Sequence, residues 1–79
     1  MNQQFVLATA SFCGPCKMLK DRIETAGLSN KVEFKNMEDN MDFFRSHNIK
    51  SVPQLLIMNG GVVEVVKNVE DIFTAITNA

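Results

Sequence analysis

Cys13 and Cys16 are the only two cysteines of a 79-residue chain, and only Gly14 and Pro15 separate them. The stretch Ser11-Phe12-Cys13-Gly14-Pro15-Cys16-Lys17 follows a short apolar run and opens a segment of helical periodicity. The fold must therefore place this pair where a strand gives way to a helix. Cysteines at this spacing serve as a disulfide, as half of a metal site, or in thiol–disulfide exchange with another protein. As a staple the bridge would do little, because closing so short a loop removes only about 2 kcal/mol of unfolded-state entropy. A closed structural zinc site takes four ligands, and beyond the two thiols the chain has one histidine, the distant His47. Two chains pooling their pairs would be needed. Gly14, Pro15 and Lys17 turn a moderately informative Cys-x-x-Cys into a strong signal for exchange.

Each residue of the stretch has a physical reason. Cys13 falls at the N-cap or first turn of the expected helix, where unpaired backbone N–H groups point at its sulfur. A thiolate there gains about 0.3–1 kcal/mol from the helix dipole. That favours the nucleophilic form, and Lys17 adds positive charge. Some of the gain is returned, because a stabilised thiolate is a weaker nucleophile. Pro15 suits the first turn, where its missing N–H costs nothing. Gly14 lets a partner's backbone come close. Cys16, a turn further on, is expected to face inward as the resolving thiol.

The segment Phe12-Cys13-Gly14-Pro15-Cys16-Lys17 resembles the active-site motif of thioredoxins, which usually carry tryptophan where this chain has Phe12. Ile49-Lys50-Ser51-Val52-Pro53-Gln54-Leu55-Leu56 resembles their second signature, a cis-proline loop facing the cysteines. The length and the early first strand are more similar to glutaredoxins. The resemblance covers nearly the whole chain. It implies an α/β minimal thioredoxin fold, β-α-β-α-β-β-α, with a four-stranded mixed sheet and helices on both faces. The first and last helices would share one face and the second would take the other.

The resemblance also implies a protein-disulfide oxidoreductase. Cys13 would attack a partner's disulfide and Cys16 would release the partner. Phe12, Gly14, Pro15, Val52 and Pro53 would surround the sulfur, with Ser51 beside them and the backbone of Val52 pairing with an extended substrate. No bound cofactor or metal is expected. Reducing equivalents would come from a thioredoxin reductase with NADPH or from glutathione, and ribonucleotide reductase is one implied substrate. The alternative is a binding module, either a metal- or cluster-holding dimer or a structural subunit. Three departures stand out. Leu7 occupies the position of the aspartate that thioredoxins bury beneath the second cysteine. Lys35 lies near the position of a thioredoxin lysine, but alternation turns it to the other face. Lys67-Asn68-Val69-Glu70-Asp71 lacks the glycines of the glutaredoxin glutathione element, where Asn68 would have to adopt a left-handed backbone.

The remaining chain reads as scaffold. Residues 1–79 make one domain, and 46% apolar residues with six Phe and five Met suffice for one core. A formal net charge of −1 suggests no nucleic-acid or anionic-membrane partner, and the apolar runs are too short for a membrane span. Met1-Asn2-Gln3-Gln4 lacks the basic region of a secretory signal. A cytoplasmic monomer is expected, in a compartment where structural disulfides are unusual.

In order, Phe5–Ala10 is expected as a buried central strand. A helix follows from Pro15 to Ala26, with Cys16, Leu19, Ile23 and Ala26 inward and Gly27 as its stop. Val32–Lys35 is a strand parallel to the first. Asp39 or Asn40 caps a second helix, with Met41, Phe44 and Phe43 inward, and Arg45, Ser46 and His47 outward or ending it. Glu38-Asp39 reads as a helix start, and Met18, Met37, Met41 and Met58 as core filling. Pro53 opens the strand Gln54–Met58. Asn59-Gly60-Gly61 makes a hairpin turn to an edge strand, Val62–Val66. Asn68 caps a last helix, whose Ile72, Phe73 and Ile76 cover the sheet.

Overall fold

The computed structural model describes residues 3–79. Met1 and Asn2, part of the N-terminal stretch read for its lack of basic residues, lie outside the described residues. The elements are β1 (Gln3–Thr9), α1 (Gly14–Thr25), β2 (Glu33–Asn36), α2 (Met41–Ser46), β3 (Gln54–Asn59), β4 (Val62–Val66) and α3 (Val69–Thr77). Single 3₁₀ turns at Ser29–Lys31 and Met37–Asp39 flank β2. The sheet order is β2-β1-β3-β4. β1 runs parallel to β2, whereas the β1–β3 and β3–β4 pairs are antiparallel. This is the expected β-α-β-α-β-β-α order, with each boundary within two residues.

The continuous apolar run of β1 is explained by its place between β2 and β3, with both faces covered. Phe5 and Leu7 point to one side, where Leu19 and Ile23 of α1 and Ile72 and Ile76 of α3 meet Leu55 and Ile57 of β3. Val6 and Ala8 point to the other, against Leu56, Phe44 of α2 and Ile49. The helices thus divide as expected, α1 and α3 on one face and α2 on the other. Arg22 ties the first pair together. Its guanidinium donates to the Glu70 carboxylate at 2.9 and 3.4 Å and lies 4.3 Å from the Phe73 ring centre.

Local chemistry ends the elements where it should. Gly27 takes φ +73°, its N–H bonds to the Glu24 carbonyl, and the Leu28 N–H reaches back to Ile23. That pair of bonds is a Schellman cap, closed by Leu28 packing on the core. Asn48 does the same for α2 at φ +55°, with Ile49 bonded to the Phe44 carbonyl. Gly60 and Gly61, at φ +60° and +92°, form the two-residue hairpin loop between Asn59 and Val62, the geometry that needs positive φ at both positions. The Asn68 side chain accepts from the N–H groups of Glu70 at 2.9 Å and Asp71 at 3.3 Å.

Several expectations fail, each for a local reason. Ala26 is exposed, because the cap turns the chain away from the core before that position. Met18 and Met41 are also exposed, at 69% and 58%. Met18 lies on the outer side of α1, and α2 is too short to carry Met41 inward. Asn40 occupies the N-cap position of α2, but its side chain makes no cap bond; its amide donates to the Asn36 carbonyl instead, at 2.9 Å. Asp39 sits in the preceding 3₁₀ turn. Asn68 is extended, φ −85° and ψ 133°, so its backbone is not left-handed. His47, by contrast, ends α2 as its C-cap, as expected, and is half-buried, 4.4 Å from the Phe43 ring centre.

The Asn68 cap is directly testable. Asn68→Ala is expected to lower unfolding free energy by about 1 kcal/mol, with Asn68→Asp close to the parent. In a chain of this size that is a fall of about 4–8 °C in the thermal midpoint, measurable by circular dichroism.

Candidate functional site

β1 ends at Thr9, and the chain leaves the sheet through a turn closed by the Cys13 N–H on the Ala10 carbonyl at 3.1 Å. Cys13 is the N-cap of α1, with extended backbone at φ −98° and ψ 110°. Its sulfur accepts the Cys16 N–H at 3.3 Å, and its carbonyl accepts the Lys17 N–H at 3.2 Å. A sulfur thus occupies the place that serine, aspartate or asparagine fills in most helices. Gly14 and Pro15 form the exposed first turn. Both cysteines are free thiols. Cys13 is half-buried and Cys16 is 2% exposed.

The loop before β3 closes over the pair. The Val52–Pro53 peptide bond is cis, and the Cys13 thiol donates to the Val52 carbonyl at 3.9 Å. Ser51 is exposed, and its hydroxyl accepts from the Gln54 amide at 3.1 Å. Phe12, 70% exposed, lines a cleft of about 110 Å³ with Met37, Phe44, Ile49, Lys50, Ser51 and Val52. Phe12, Cys13, Ser51, Val52 and Pro53 are therefore neighbours although some 40 positions separate them. Lys17 is exposed on the other side of α1, at the rim of a second cavity.

The two sulfurs differ in environment. Burial pushes the Cys16 thiol up to about 12, the Cys13 thiol adds to the rise, and a backbone hydrogen bond at Ala10 partly opposes it. No carboxylate offsets the rise. Leu7 is fully buried among Leu19 and Ile23, as the sequence register indicates. The cavity beside Cys16, about 520 Å³, is lined by Thr9, Lys17, Lys20, Phe34 and Asn36 among others. Lys20 lies 5.4 Å from the Phe34 ring centre. Lys35 faces the opposite side of the sheet, paired with Glu33 at 3.2 Å and 5.1 Å from the Phe43 ring centre.

One residue of the site escaped the sequence reading. Glu38, expected only to start a helix, reaches the turn before Cys13: its carboxylate accepts the Ser11 N–H at 3.1 Å and also the Ser11 hydroxyl. The Ser11 hydroxyl, more than the backbone bonds, holds the Glu38 carboxyl below the usual carboxylate range. The contact extends the parallel register of β1 and β2. Val6 pairs with Glu33 and Thr9 with Asn36, an offset of 27 that also brings Ser11 to Glu38.

The arrangement has known counterparts. The family model described as Thioredoxin matches residues 2–77. The chain belongs to the thioredoxin family. A thioredoxin of Chlorobaculum thiosulfatiphilum is 38% identical over 60 residues, a match covering 68% of this chain and 54% of that protein. The chain therefore spans about half the length of that curated relative. Among solved structures, Fasciola hepatica thioredoxin superposes with a TM-score of 0.76 at 19% identity, over 98% of this chain and 80% of that one. The oxidised mitochondrial thioredoxin 3 of Saccharomyces cerevisiae gives 0.73 at 17% identity, over 98% and 78%. A thioredoxin of Nicotiana alata gives 0.76 at 20%, over 96% and 71%. At these identities the structures share the fold.

The raised Cys16 thiol predicts a pH dependence of known sign. The folded chain holds this proton up to about 12, whereas the unfolded chain releases it near the ordinary thiol value. The contribution is fully present below that ordinary value and is lost as pH rises toward 12. Urea unfolding of the reduced protein between about pH 8 and about pH 10.5 should show stability falling, and Cys16→Ala should remove that part of the slope.

Proposed function

We propose that the chain is a thiol–disulfide oxidoreductase that reduces disulfides in other proteins. The observation that carries this reading is the pairing of a half-buried Cys13 sulfur at a helix N-terminus with a buried Cys16 thiol one turn below it. The Cys13 thiolate attacks one sulfur of the partner's disulfide. A mixed disulfide forms and the partner's other sulfur leaves as a thiolate. Cys16 then loses its proton and attacks the Cys13 sulfur, closing the Cys13–Cys16 disulfide and freeing the partner's second thiolate. Two electrons pass to the partner, and an external reductant restores the dithiol.

The causes of the Cys16 shift give the sequence its order. Part of the rise comes from Cys13 itself, through its hydrogen bond and its charge. Once Cys13 is bonded to the partner that part disappears, so Cys16 becomes easier to ionise only when it is needed. Burial remains, and with Leu7 in place of an acid, solvent in the cavity beside Cys16 must take the proton. Resolution is accordingly slower than in a thioredoxin with an aspartate there. The cis-proline loop supplies the docking edge: an extended substrate segment pairs with the backbone of Val52, and Phe12, Gly14, Pro15, Pro53 and Ser51 shape its surroundings.

The reductant proposed is a thioredoxin reductase with NADPH rather than glutathione. The stretch Lys67–Asp71 lacks the glycines of the glutathione element, and its Glu70 and Asp71 N–H groups are taken up by the Asn68 side chain. Ribonucleotide reductase is proposed as one substrate on family resemblance alone, and the cytoplasm as the compartment. The chain is proposed to act as a monomer. The burial of Cys16 stands against the alternative of two chains pooling thiols around a metal, since that ligand would have to leave the core.

Two experiments test the reading. Cys16→Ser incubated with an oxidised protein substrate should accumulate a mixed disulfide at Cys13, visible by mass spectrometry, while Cys13→Ser should form none and fall to the uncatalysed background. Full reductase activity in Cys13→Ser would refute the mechanism. Leu7→Asp should speed release of the partner from the mixed disulfide in stopped-flow traces, although the buried carboxylate lowers stability by several kcal/mol.

A further inference from the structure

We infer that Glu38 is a positioning residue for Cys13, acting through its bonds to Ser11. The inference rests on geometry at the end of two parallel strands. β1 and β2 are joined up to the Thr9–Asn36 pair, where the Thr9 hydroxyl also donates to the Asn36 side chain at 2.9 Å. Beyond that pair the backbone ladder stops, because the chain after Thr9 turns away to start α1. Ser11 would then be a free turn residue two positions before Cys13. The Glu38 carboxylate prevents this. Oε2 accepts both the Ser11 N–H, at 3.1 Å, and its hydroxyl, and Oε1 shares the N–H at 3.4 Å, one rung past the end of the ladder. The segment between this rung and α1 holds only Phe12 and Cys13.

Two anchors therefore bracket the sulfur. Upstream is the Glu38–Ser11 contact; downstream is the Cys16 N–H on the Cys13 sulfur at 3.3 Å. The second bond depends on where the turn places Cys13. Releasing Ser11 lets the turn move, and the sulfur loses alignment with the helix N–H that stabilises its thiolate. The carboxylate's charge works the other way. A negative group near Cys13 disfavours a second negative charge, so on electrostatics alone the site would do better without Glu38. The two roles predict opposite signs.

The test is the rate at which iodoacetamide alkylates Cys13 at neutral pH, in a Cys16→Ser background so that one sulfur reports. This readout needs no turnover and no partner, so it stands or falls separately from the proposed disulfide reduction, on which the inference's functional meaning rests. Glu38→Ala removes charge and acceptor together and should slow alkylation about threefold. Glu38→Gln removes the charge but leaves one amide oxygen for both Ser11 donors, and should react at the parent rate or faster. Ser11→Ala, which keeps the N–H but loses the hydroxyl, should fall between. Glu38→Ala reacting as fast as Glu38→Gln would overturn the inference, leaving charge as the only effect. So would a lowered thermal midpoint with unchanged alkylation, which marks a purely structural contact.

Discussion

The part of β1 from Phe5 to Thr9 is covered on both faces and has to be fed and left at its ends. Val6, Leu7 and Ala8 are almost wholly buried, so no polar chemistry fits along them. Beyond Thr9 the chain must leave the sheet at once, and the exit is a turn and a helix start. The thiols sit there, at a helix start, where backbone N–H groups are free to face a sulfur. β3 runs antiparallel beside β1 and begins, at Gln54, next to where β1 ends. The loop that feeds β3 therefore arrives beside Cys13. The meeting of the two signature segments is a consequence of how the central strands pair.

The same logic separates the two sulfurs. One turn of helix carries Cys16 from the exposed rim into the core between α1 and the sheet, while Cys13 remains at the rim. A single structural fact, the direction of α1, thus makes one thiol reachable and the other protonated. In the proposed reaction the partner therefore meets Cys13 first. Cys16 is held in reserve by burial and by Cys13 itself. The order of events in the proposed reaction is a property of the packing and needs no moving part.

Much of this is legible in the sequence, because the signals are local. The run Phe5–Ala10, the turn residues Gly27 and Asn59-Gly60-Gly61, and the cap at Asn68 each depend on a few neighbouring residues and lie where expected. The cis-proline loop is legible only by resemblance, since sequence does not show a peptide isomer. The features that sequence misses depend on length or on distant partners. Met18 and Met41 are apolar but stand on surfaces that no second element covers. Asn40 has the right identity for a cap, but the preceding 3₁₀ turn offers its amide a competing acceptor at Asn36. Glu38 meets Ser11 across 27 positions, and no local pattern marks it. Only the parallel register, carried one rung past the last backbone pair, would bring the two together.

Whether these two thiols turn over as a redox couple against protein disulfides is tested most directly by the rate of insulin reduction. The assay is coupled in parallel to a thioredoxin reductase with NADPH and to glutathione with glutathione reductase and NADPH, with dithiothreitol as a reductant that needs no docking. Catalysed reduction is expected under dithiothreitol, with faster turnover through the thioredoxin reductase than through glutathione. Reduction no faster than dithiothreitol alone, together with silence in both coupled systems, would contradict the redox role.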